Sequence, residues 1–242
     1  MNTINPQLIT QQRQQSVSPL PPSNILSPVS KQQNVHRKLS LIRLAPITST
    51  TDDDSKSELE NPDPTGQELK LLYVDQLQRK VVAISKNNHS IPLNLVIKNG
   101  IHCFSGKFDK SSIQDHAYRI IGIVKADFRL SFPCAPGAEI NMQSMLYYNG
   151  GSGGVHFKGN KLEGNEKFVD GQLITMELNA NAGTLHFFID SVQQPIFVKG
   201  IKEPVKFYIY LNIPDSSFTV LASSKLKEPT VKKLANEKAI DW

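Results

Sequence analysis

Residues 172–190 constrain this chain most. Read with period two, Ile174, Met176 and Leu178 fall on one face, with Thr175 and Glu177 on the other. After a turn, Leu185, Phe187 and Ile189 again share a face, with His186 and Asp190 opposite. The intervening Asn179-Ala-Asn-Ala-Gly183 supplies small polar residues and one glycine able to take φ > 0. Such a pattern is a β-hairpin with one buried and one wetter face, the repeating unit of an antiparallel sandwich.

The same texture recurs along the chain. Strand-like runs are predicted at 80–85, 91–97, 101–108, 119–124, 144–148, 155–157, 193–198, 205–211 and 217–221, with turns at 87–89, 98–100 and 149–154. Gly122, inside a β-branched run, marks a bulge or a close backbone approach. In the run 205–211, Val205, Phe207, Ile209 and Leu211 alternate with Lys206, Tyr208 and Tyr210. No long amphipathic helix separates these runs, which excludes a parallel α/β layout. The expected class is all-β, an antiparallel two-sheet β-sandwich. Thr230 reads as an N-cap, and residues 230–240 as a short C-terminal helix with Val231, Leu234 and Ala235 on one side.

Composition divides the chain. No aromatic residue precedes Tyr73 and no glycine precedes Gly66, so residues 1–66 lack the apolar area needed to offset chain ordering. They read as a disordered Pro/Gln/Ser-rich tail. Residues 67–224 then form the sandwich, and residues 225–242 a Lys-rich end. Within the tail, Ser18 and Ser27 precede prolines and Ser40 lies three residues after Arg37, which makes these three serines possible phosphosites. Cys103 and Cys134 have no metal-site spacing. No apolar run reaches membrane-spanning length, and the N-terminus lacks the charged and apolar regions of a secretory leader. The expected setting is intracellular, cytoplasmic or nuclear.

Several stretches, taken in order, resemble the SPRY domain, a protein-interaction module built as a bent, concanavalin-like sandwich. Gly100-Ile-His-Cys-Phe104 resembles its Gly-x-His-x-aromatic strand, and Ile121-Gly-Ile-Val124 its Ile-Gly-Val run. Residues 168–178 resemble its Phe-x-x-Gly-Asp-x-Ile-x-x-x-Leu segment, and Gly183-Thr-Leu-His-Phe-Phe188 its Gly-x-Leu-x-Phe-Phe strand. Residues 205–212 stand where the family has Leu-Tyr-Pro-x-hydrophobic. Gln172 replaces the family's Asp after the glycine, Asp190-Ser191 replaces its Asn-Gly turn, and Ser105 stands where a Glu is common.

Chemistry is sparse. The run Asn149-Gly-Gly-Ser-Gly-Gly154 joins two strands and lacks the Lys-Ser/Thr pair of a phosphate cradle, so it reads as a flexible hairpin loop. No two histidines pair at i, i+4, and no nucleophile motif surrounds a Ser or Cys. Catalysis and cofactors are therefore not expected. The scattered lysines form no basic stripe with interleaved aromatics, which argues against nucleic acid. The SPRY resemblance implies a non-catalytic module that binds a short peptide or protein partner through loops at one end of the sandwich, as an adaptor or regulator. Candidate contacts are Asn87 and His89 in the early turn, Tyr148 and Asn149 at the Gly-rich loop, Tyr208 and Tyr210 on one strand, and Asn212 at its end. The alternative is a lectin-like carbohydrate-binding sandwich, for which Tyr148-Asn149 would supply the stacking ring and the polar donor.

Overall fold

The computed structural model describes residues 54–113 and 116–242, with only the backbone of His116. Ser18, Ser27 and Ser40, with most of the expected tail, lie outside the described residues. A 3-10 turn (Asp54–Lys56) precedes β1 (Leu69–Val74), β2 (Leu77–Ala83), β3 (His89–Pro92) and β4 (Ile101–Asp109). Next come β5 (Ser112–Ile113), β6 (His116–Ala117), β7 (Ile120–Lys125), β8 (Met145–Asn149), β9 (Val155–Phe157) and β10 (Asn160–Leu162). The chain continues as β11 (Ile174–Asn179), β12 (Thr184–Ile189), β13 (Val192–Gln193), β14 (Ile196–Lys199), β15 (Val205–Leu211), β16 (Ser217–Leu226) and β17 (Lys238–Asp241).

These strands make two main sheets. The first has the order β1-β2-β16-β4-β11-β12-β14-β17, with β13 also on β12. The second has the order β10-β9-β8-β7-β15-β3, and β5 and β6 form a separate pair. All named strand pairs are antiparallel except β14–β17. The hairpin read from the sequence is β11–β12, in register Met176↔Phe187 and Leu178↔Leu185. Its apolar face is the inner one: Ile174, Met176, Leu178, Leu185, Phe187 and Ile189 all join the main core. Burying such side chains contributes roughly 1.5–3 kcal/mol each. Phe104 stacks between Phe207 of the second sheet (5.5 Å) and Phe218 of its own (5.8 Å), which ties the layers together.

The outer face of the second sheet is not wet. The loop 126–144 folds back over it, and Val124, Cys134, Met145 and Tyr208 form a second buried cluster with Phe128, Leu130 and Tyr147 packed on it. The alternation at 205–211 is real, but a loop covers its polar-looking side.

The chain's two ends differ from the sequence reading. No helix forms at 230–240: after a bend at 227–228, residues 229–234 have no regular structure, 235–236 make a turn, and Lys238–Asp241 is a strand parallel to β14. A lone helix would have shown only a narrow apolar side, whereas the strand buries Ile240 in the core and gains a ladder on an open sheet edge. Residues 54–66, assigned to the tail by composition, lie against the sandwich. Leu59 is buried, bridges to Leu93 and donates its N–H to Gln78 O at 2.9 Å, so one leucine closes the seam between β2 and β3 without any aromatic residue.

Candidate functional site

Strand register gathers several loops at one end of the sandwich. In the second sheet Leu211 pairs with His89, Tyr210 with Ile120, and Ile120 with Asn149. The segments 84–88, 118–119, 149–154 and 212–216 therefore share one rim. In the first sheet Ser217 pairs with Asp109, and Ile174 pairs with both Gly106 and Ile189. That adds 110–113, 169–173 and 190–191 to the same end.

A hydrogen-bond lattice stiffens one side of this rim. The Tyr210 hydroxyl donates to Asn88 Oδ1 at 2.6 Å, and Asn212 Nδ2 donates to the same oxygen at 3.2 Å and to Asn87 O at 3.0 Å. Asn87 Nδ2 and the Ser85 hydroxyl both donate to Glu68 Oε2, at 2.9 and 2.6 Å, and these bonds hold the Glu68 carboxyl below its usual range. Burial pushes the Tyr210 phenol up to about 12, so it remains a neutral donor. His89 is wholly buried against Phe132, ring centres 5.5 Å apart. Burial lowers its pKa, and because Ser85 O can only accept, the neutral ring carries its proton on Nε2, 3.3 Å away.

A second cluster at the rim was missed from the sequence. Arg119 is buried just before β7; its Nη1 donates to Ser112 Oγ at 2.5 Å and lies 3.5 Å from Asp170 Oδ1. Asp170 also accepts from the Ser111 N–H at 3.0 Å and from its hydroxyl. Arg119 Nε has no hydrogen-bond partner among the described residues. The pair is 51 positions apart in sequence, and only strand pairing reveals it; the sole local sign was one arginine at the head of an apolar run.

The expected contacts therefore divide. Asn87, Asn149, Tyr210 and Asn212 all stand at the rim, but Tyr210 is 6 % exposed and acts from beneath. Tyr148 and Tyr208 are both 0 % exposed. Tyr148 packs edge-on to Phe168 and Phe187 and donates to Glu166 O, while Tyr208 donates to Leu146 O at 3.3 Å. These rings are core, and Tyr148 offers no free face for a sugar to stack on. Asn149 turns its side chain into its own loop, accepting from the N–H groups of Gly151 (2.8 Å) and Ser152 (3.3 Å). That loop is packed rather than loose: a Cβ at Gly150 would fall 2.5 Å from the Phe168 ring. Among the described residues no three His, Cys, Asp or Glu side chains gather to hold a metal ion, and no helix is long and apolar enough to cross a membrane.

No known protein family matches the sequence as a profile, and no curated protein matches it. Solved structures do match in shape. The SPRY domain of human HERC1 aligns with a TM-score of 0.51 at 13% identity, over 69% of this chain and 99% of that one. The PSpry domain of TRIM65 aligns with a TM-score of 0.52 at 12% identity, over 69% and 92%. The chain has the SPRY fold.

Proposed function

We propose that this SPRY-fold chain is a non-catalytic protein-interaction module that binds a short segment of a partner through the rim built by 84–88, 110–113, 169–173, 190–191 and 212–216. The observation carrying this reading is the lattice of Asn87, Asn88, Tyr210, Asn212 and Glu68, which fixes neighbouring loops on a rigid frame while Lys86, Ile113, Pro214 and Asp215 point into solvent. A preordered rim loses little entropy on binding, and Ile113, 45 % exposed, is an apolar anchor of the kind interfaces bury. An adaptor or regulator inside the cell, in cytoplasm or nucleus, fits such a surface. The test is affinity capture from cells with the full chain, followed by peptide arrays of the captured proteins. Ile113→Asp and Lys86→Glu should each weaken binding about tenfold or more, while Lys202→Glu at the opposite end leaves it unchanged. Equal binding by all three would remove the rim assignment.

A further inference from the structure

Residues 227–241 leave β16, cross the outer face of the first sheet and join its edge as β17. What holds them differs from the core. Glu177, on the outer face of β11 and 2 % exposed, accepts the Thr230 N–H at 3.0 and 3.2 Å and also its hydroxyl. The Gln193 amide takes the Lys232 backbone from both sides, donating to its O at 2.7 Å and accepting from its N–H at 2.8 Å. Between residues 227 and 236 every side chain is exposed except the half-buried Val231 and Leu234. Further on, Ile240 enters the core and Trp242 lies flat on Phe157, ring centres 4.4 Å apart.

The stretch 227–236, with so little buried apolar area and a few polar clamps, sits at the low end of local stability, and β17 is the part of the strap that is anchored. The stretch also fills its seat poorly. Beside the clamps a largely apolar groove of about 430 Å³ remains, floored by Cys103, Thr175 and Phe188 and walled by Leu173, Leu226 and Leu234. Most of the clamp contacts are to backbone, so they tolerate a different sequence; a hydroxyl over Glu177 and an apolar side chain at the groove are the two specific demands. Removal of the strap would open the β14 edge, which then needs another strand.

We infer that this outer face is a strand-accepting site occupied in cis by the chain's own C-terminal strap, and that its exchange partner is an extended protein segment with Ser or Thr over Glu177 and a larger apolar side chain, such as Phe, in place of Leu234. The groove adjoins the rim at Leu173 and Ser191, whereas Lys86 and Ile113, whose variants test the rim, lie outside it.

The experiment uses the full chain with a specific protease site replacing the exposed residues 227–229, and a fluorescein-labelled peptide of residues 230–242. The cut chain should bind this peptide saturably, and the uncut chain about a hundredfold more weakly, because the tethered strap competes at high effective concentration. A Leu234→Phe peptide should bind about threefold tighter and a Thr230→Val peptide about tenfold weaker. Equal binding to cut and uncut chains, or loss of the cooperative melt on cutting, would overturn the proposal. A second measurement needs no cut. Trp242 is the only tryptophan, so its emission reports the docked strap. In a Thr230→Val/Gln193→Ala double variant the emission should shift to the red, and amide exchange over 230–241 should accelerate at least tenfold with β4 and β11 unchanged. Strap amides as protected as those of β4 would overturn it equally.

Discussion

Replacing Gly122 by Ala should destabilise the sandwich more than any exposed change. Gly122 sits in β7 between Tyr147 of β8 and Tyr208 of β15. A Cβ there would lie 2.0 Å from Leu146 O and 2.9 Å from the Tyr208 ring. The first neighbour is backbone and cannot rotate away, so β7 and β8 must part by about an ångström beside a ring that is itself 0 % exposed. Overpacking of this kind costs roughly 1–3 kcal/mol, and weakening one or two ladder bonds adds about 1 kcal/mol each. The sum is about 2–5 kcal/mol, a fall in Tm of roughly 4–20 °C for a domain of this size. Gly171→Ala is the control: it has open space around it but a φ of +83°, so it carries only backbone strain of about 1–2 kcal/mol. Thermal melts by circular dichroism, with urea midpoints alongside, measure both. If Gly122→Ala melts no lower than Gly171→Ala, the close approach of β7 to β8 is not what requires a glycine.

Tyr148→Ala empties a fully buried site between Phe168 and Phe187 and should cost about 3–5 kcal/mol, while Tyr148→Phe loses the bond to Glu166 O and costs about 1 kcal/mol. Partner affinity per folded molecule should be unchanged in Tyr148→Phe; a tenfold loss there would return Tyr148 to the contact surface. Burial lowers the pKa of His89, His156 and His186, so below about pH 6.5 the unfolded chain takes up protons that the native imidazoles refuse. Stability should be level above that pH and decline as it falls through the histidine range; a melt independent of pH between 7 and 5 would contradict the neutral rings.

Where the pattern repeats within one hairpin, the sequence is legible. Strict alternation at 174–178 and 185–189 marks the inner face, and in the fold those six residues are core. Gly122 stood out for the same reason, because a glycine inside a β-branched run has few explanations. The site was less readable. The asparagines at 87, 149 and 212 do reach one rim, but Tyr148 and Tyr208, candidate contacts by sequence, are core. Each hydroxyl in fact finds a backbone carbonyl inside, which removes the usual objection to burying it.

Period-two patterning and turn residues thus determine, from the chain alone, that two antiparallel layers form and which face of the central hairpin points inward. They act over a few residues, and so survive in one dimension. Only the folded arrangement decides what covers the other faces. The loop 126–144 shelters Tyr208, Leu59 seals a seam, Glu177 and Gln193 hold the C-terminal strap, and Arg119 meets Asp170. Those contacts join residues dozens of positions apart, and their energy depends on distances that no local pattern encodes.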